Sequence, residues 1–208
     1  MTETMTRVEL PKAEWPCKSS PWGAIQDCYG YGEGTWFVMT AGHGGVKLDR
    51  KRNAMVPDYM RRAGGWYEED CEWAIPALVF PDSGLNTGSA AKTLMDYFPH
   101  SYAKFFNVHI KTLAGKSYAY DRELFNTEHA SDWVSIAASG DHAIGVPKGM
   151  VGVTLTIGGK RGSVEEKHIL VSKEEYQARN HFGYVAIGDH ESWVVEPGQR
   201  HHNPKPKN

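Results

Sequence analysis

Cysteine is scarce in this chain. Its 208 residues include only Cys17, Cys28 and Cys71, an odd number with no CxxC and no paired spacing. That excludes a disulfide framework and predicts a reducing compartment. Long apolar runs are missing as well, none approaching the ~20 residues that a membrane span requires. Residues 1–16 carry Glu3, Arg7, Glu9, Lys12 and Glu14 and no apolar core, so no signal peptide is expected there. Neither sign of charge dominates: 23 Lys and Arg stand against 25 Asp and Glu, for a formal net charge of -2. A general nucleic-acid binder shows a basic excess, and a DNA mimic needs a large acidic one. Nucleic acid is therefore disfavoured as a partner, and a cytoplasmic protein without membrane contact is expected.

What the chain does have is apolar and aromatic content, 40% and 12%, with seven Trp and ten Tyr. A chain of this length can bury roughly 70% of the surface its unfolded form exposes, so no metal or disulfide is needed to stabilise it. The ends read as tails, 1–19 because charge mixes with Pro11 and Pro16, and 197–208 (PGQRHHNPKPKN) because large apolar side chains are absent. A single domain over 20–196 remains.

Within it, residues 22–28 and 35–40 read as a hairpin joined by YGYGEG. Residues 57–62 start with Pro and stop at Gly64-Gly65, which predicts a short helix. The spacing of Tyr67, Cys71, Ala74, Ile75 and Leu78 predicts a longer helix over 67–80, kinked or ended early by Pro76. One or two helices broken near Pro99 follow in 90–106, and another over 121–130. Strands are expected at 133–138, 150–157, 168–171 and 184–187, with a Ser172–Glu175 capping box opening a helix to about Asn180. Strands gather at both ends and helices in the middle, without βαβ alternation. The fold class is thus α+β, a largely antiparallel sheet with helices packed mainly on one face.

Two segments stand out chemically. In TAGHGG (40–45), His43 sits among glycines, of which Gly44 is one that permits close approach of backbone or ligand. No GK[ST] follows, so this is no phosphate loop. An exposed imidazole there suits general acid–base work. The second segment holds four carboxylates in five positions, Glu68, Glu69, Asp70 and Glu72. Helix-dipole stabilisation accounts for about two of them, at ~0.3–1 kcal/mol each. The surplus makes Glu68, Glu69 and Asp70 candidates to face His43. On a helix one of them would do so while another points to solvent.

Other groups carry weaker signals. The six basic residues of 47–62 most simply ion-pair with this acidic stretch. Cys71 lies on the apolar stripe and reads as a core residue, not a nucleophile. Asp141 and His142 share a strand-joining loop and are candidate binding residues. With His43 and Glu69 they would make an N/O ligand set, but no HxxxH or HExxH spacing supports it, and neither metal nor cofactor is expected. Trp22, Trp66 and Trp73 flank the main motifs, as core or as an exposed binding patch.

Taken together, SPWG (20–23), TAGHGG with Lys47-Leu48, GWYEEDCEWA (65–74), Asp132-Trp133 and VPKGMVGV (146–153) resemble an uncharacterised family of bacteriophage, prophage and plasmid proteins. The resemblance implies a mobile-element origin and no reaction. Two functions follow as expectations. One is an accessory factor that binds a host protein, with counter-defence as an example. The other is a small enzyme using His43 with Glu68, Glu69 or Asp70 as an acid–base pair in hydrolysis or group transfer.

Overall fold

The computed structural model describes residues 7–162 and 165–195. The predicted C-terminal tail lies outside them. The chain divides into two compact units between Asp121 and Arg122. The class is α+β, and every pairing between named strands is antiparallel.

The first unit is built on a five-stranded sheet. Its strands, in spatial order, are β1 (Val8–Glu9), β4 (Asp27–Gly30), β5 (Thr35–Met39), β6 (Gly44–Leu48) and β7 (Trp66–Glu68). A small ribbon pairs β2 (Ser19–Ser20) with β3 (Gly23–Ala24). Residues 8–19, read from sequence as tail, therefore carry strand segments, and Leu10, Trp15 and Cys17 pack onto Ile25, Cys28 and Val38.

Register assigns the faces. Phe37 opposes Val46, and Val46 opposes Tyr67, so these three point one way with Leu48. Against them lie α2 (Ala74–Val79) and α3 (Ala90–Tyr97), through Ala74, Ile75, Ala77, Ala90 and Leu94. The opposite face shows Val38, Gly45, Lys47 and Trp66, covered by the N-terminal segment with Trp15 and Trp22. Helices on one face is thus the arrangement of this unit. Helix α4 (Pro99–Phe105) follows α3 across the break at Pro99, as predicted, because Pro is tolerated at a first helical position.

Two expected helices are relocated. The short one is α1, Arg50–Met55, seven residues before the predicted start, because the Asp49 side chain accepts from the Arg52 N–H and caps it there. The helix over 67–80 exists only from Ala74. Its first part is β7, since Trp66–Glu68 takes its backbone hydrogen bonds from β6. Pro76 then falls in the first turn of α2, where its missing N–H has no partner to lose.

The second unit opens within α5 (Tyr118–Glu128) and holds a three-stranded sheet. Strand β9 (Met150–Ile157) lies between β8 (Trp133–Ser139) and β10 (Glu166–Ser172). Val151, Val153, Leu155, Ile169 and Val171 form its core with Tyr184. Helix α6 (Lys173–Gln177) is capped by Ser172, whose hydroxyl accepts from the Glu175 N–H. The strand expected at 184–187 is reduced to a single bridge, Val134 to Val185. Among the described residues no helix is long and apolar enough to cross a membrane.

Candidate functional site

The β5–β6 hairpin turns through Thr40–His43. The Thr40 hydroxyl donates to the His43 carbonyl (2.8 Å) and accepts from the His43 N–H (3.2 Å), while the Thr40 N–H donates to the same carbonyl (2.7 Å). This one threonine fixes the backbone of His43 and leaves its side chain 59% exposed at the rim.

Sheet register brings the carboxylates to it. Gly45 opposes Glu68 in the β6–β7 ladder. The pairing runs one residue further: the Glu69 N–H donates to the Gly44 carbonyl (3.2 Å), and the Gly44 N–H donates to Glu69 Oε2. Glu68 Oε2 accepts from the Asp70 N–H (2.9 Å). Each carboxylate thus has one oxygen held by a backbone amide. The other oxygens face one imidazole nitrogen: His43 Nδ1 is 4.0 Å from Glu68 Oε1 and 3.7 Å from Glu69 Oε1.

Two like charges converging on one point repel unless something positive lies between them. A protonated imidazole does this. So would a cation, because one donor atom from each of the three groups falls within a sphere of mutual distances no greater than 4.8 Å. One nitrogen and two carboxylate oxygens make a donor set for first-row divalent ions.

The remaining carboxylates have other roles. Glu72 closes the turn after β7, accepting from the Glu68 N–H (3.3 Å) and pairing with Arg62 (2.5 Å). Asp70 is exposed, and its backbone N–H donates to Glu68 Oε2. So two carboxylates face His43, where a helical projection had allowed one, because this segment is strand and turn.

Most of the basic stretch is engaged locally. Arg61 pairs with Asp58, Lys51 with Glu33, and Lys47 reaches the Gly64 carbonyl beneath the Trp66 ring. Of the pairs expected between the basic and acidic stretches, the described residues show Arg62–Glu72.

Gly44 and Gly45 answer to packing. A Cβ on Gly45 would lie 2.3 Å from the Tyr67 carbonyl oxygen and 2.5 Å from Trp22 Cη2. Trp22 is seated there, edge-on to Trp66 with centroids 5.7 Å apart. Trp22, Trp66 and Trp73 are all half-buried against apolar clusters. Cys71 is half-buried, its thiol pKa raised by burial first and then by Glu68, Glu72 and Asp70, which disfavours the thiolate.

Asp141 and His142 lie in the β8–β9 loop of the second unit, both exposed. Asp141 Oδ2 accepts from the Gly149 N–H (3.1 Å) and so closes its own loop. The cation-sized cluster found among the described residues contains neither.

One group has no motif in the sequence. The Tyr184 hydroxyl donates to Glu175 Oε1, and His190 Nε2 stands 2.9 Å from that hydroxyl and 3.0 Å from Glu175 Oε1. The Glu175 pKa is lowered by Tyr184 first and His190 second. The Tyr184 pKa is raised by burial and then by Glu175.

The profile of a family described as Domain of unknown function (DUF7007) matches residues 16–130, a stretch that includes His43, Glu68 and Glu69. No curated protein and no solved structure matches the chain.

Proposed function

The chain belongs to the DUF7007 family of unknown function, and we propose from its own geometry that His43, Glu68 and Glu69 form the acid–base centre of a small enzyme. The reaction class is hydrolysis or group transfer. One observation carries the proposal: two carboxylates, each held by a backbone amide, turn their free oxygens to His43 Nδ1 at 3.7 and 4.0 Å. Imidazole is the side chain whose proton exchanges in the physiological range. With Nδ1 facing the carboxylates, Nε2 is the nitrogen left to exchange a proton with substrate. Exposed ion pairs contribute only ~0–1 kcal/mol, so stability alone gives little reason to assemble three such groups.

A second reading of the same groups is a divalent-cation site. It is favoured by separations longer than a hydrogen bond and by donor atoms within 4.8 Å of one another. The motif resemblance also supports a third reading, a mobile-element factor bound to a host protein. The three tryptophans that would anchor such a partner are half-buried in the first unit's own packing, so the geometry favours the site over the surface.

The test is hydrolysis of p-nitrophenyl acetate, p-nitrophenyl phosphate and bis-p-nitrophenyl phosphate by wild type and His43→Ala. A general acid–base contributes about 10²–10⁴-fold to rate, and a loss of that size with an unchanged melting temperature is expected. Equal rates in the two proteins would sink the proposal. Calorimetric titration with Mn²⁺ and Zn²⁺, repeated on Glu68→Gln and Glu69→Gln, separates the cation reading from proton transfer without metal.

A further inference from the structure

The second unit carries an open surface depression of about 300 Å³ that shares no lining residue with the site at His43. Its walls include Phe125, Val185 and Ile187 as apolar groups and Glu175, Arg179 and His129 as polar ones. Glu175 and Arg179 lie beyond the residues that the family profile matches. The volume is at the small end of ligand pockets and suits a molecule of metabolite size.

Glu175 lies within α6 and Arg179 two residues past its last residue, and among the described residues they form no ion pair with each other. Arg179 spends one N–H on the Tyr176 carbonyl (3.0 Å) and lies over the Tyr176 ring (4.3 Å). Its other N–H groups have no hydrogen-bond partner among the described residues. Glu175 receives Tyr184 and His190 on Oε1, which leaves Oε2 without a partner among the described residues.

The support behind Glu175 is costly to build. Since the Tyr184 hydroxyl donates to Glu175, His190 Nε2 must itself carry a proton to lie 3.0 Å from the same oxygen. In the neutral ring that leaves Nδ1 as a bare acceptor. The His190 side chain is 8% exposed, and Nδ1 has no partner among the described residues. Buried polar atoms are nearly always satisfied. An orphaned one is accepted here in an arrangement whose effect is to hold one carboxylate, ionised, at the wall of the depression.

We propose that this depression binds a small zwitterion, an α-amino acid with an apolar side chain. Its ammonium meets Glu175 Oε2, its carboxylate meets the Arg179 guanidinium, and its side chain packs against Phe125, Val185 and Ile187. A plain organic anion would face the Glu175 charge, and a plain amine the Arg179 charge. Only a ligand carrying both signs satisfies both residues.

The test uses the full chain with leucine and phenylalanine as probes, followed by calorimetry or ligand-observed NMR. Isopentylamine and 4-methylpentanoate serve as leucine lacking one charge each. Saturable binding of leucine or phenylalanine is expected, with each truncated analogue weaker by roughly tenfold or more, the usual loss for a missing charged hydrogen bond. Arg179→Gln should weaken the amino acid by a similar factor and leave the Tyr184–Glu175–His190 group intact. Glu175→Gln should do the same, with far-UV circular dichroism checking the fold. The proposal is overturned if neither amino acid saturates, if isopentylamine binds as tightly as leucine, or if Arg179→Gln binds like wild type.

Discussion

Gly45→Ala should be among the most destabilising single-methyl changes in the first unit. Gly45 is not held in a left-handed conformation, so the cost is one of space. The added Cβ would meet the Tyr67 carbonyl oxygen at 2.3 Å and the Trp22 ring at 2.5 and 2.9 Å. The first of these is backbone of β7, paired to β6 and covered on its helical side by a core in which Tyr67 is fully buried. It cannot rotate away. Relief requires β7 to retreat or Trp22 to leave its seat against Trp66. Overpacking of this kind costs about 1–3 kcal/mol and sometimes more. The reduced freedom of the unfolded chain returns about 0.4–1 kcal/mol. A net loss of about 1–2 kcal/mol follows, or a fall in melting temperature of roughly 2–8 °C for a chain of this length.

The natural control is Gly42→Ala, three residues earlier in the same motif. Nothing lies within 4 Å of its added Cβ, and its backbone is not left-handed, so a change within about 0.5 kcal/mol is expected. Thermal melts followed by tryptophan fluorescence compare the two, since the affected contact is a tryptophan pair. If Gly45→Ala melts within about 1 °C of wild type, or Gly42→Ala falls as far, the packing account of this motif is wrong. A displaced β7 would also carry Glu68 and Glu69 away from His43, so any activity at His43 should fall with Gly45→Ala and survive Gly42→Ala.

Two further outcomes are expected. Cys28 is fully buried with its thiol pKa pushed to about 11, and burial also raises Cys17 and Cys71. Titration with a chromogenic disulfide at neutral pH should therefore be slow, with Cys28 reacting only on unfolding; a stoichiometric burst at Cys71 would revive it as a nucleophile. Tyr184→Phe should lower stability most at intermediate pH. The lowered Glu175 pKa gives stability that is present above the unfolded value near 4.5 and lost as pH falls below it, whereas the raised Tyr184 pKa gives stability that is lost as pH rises past about 10. The gap between wild type and variant, followed by denaturant midpoints from pH 3 to 11, should narrow at both ends, and a constant gap would refute the assignment.

What could be read from the sequence divides by the range of the interaction responsible. The break at Pro99, the Ser172 cap and strand β9 were legible because each is decided within a few residues by ring geometry, a hydroxyl or β-branched content. His43 was legible as exposed for a similar reason, since glycines and a threonine four positions long make the turn. Strand β7 was misread as helix because the spacing of Cys71, Ala74, Ile75 and Leu78 does describe the apolar residues that follow it. Tyr67 joined that pattern by coincidence, its burial coming from β6, about twenty residues away in sequence. That same error placed Glu68 and Glu69 on different sides of a helix, when the ladder turns both toward one nitrogen. Glu175 shows the limit most clearly. Its position in the capping box predicted that its carboxylate would serve the start of α6, but the cap is made by its backbone N–H alone. The carboxylate is drawn off by Tyr184 and His190, nine and fifteen residues on. A local rule can assign a side chain only when no distant donor competes for it, and here two hydrogen bonds to an ionised oxygen outweigh the single bond that a capping box would make.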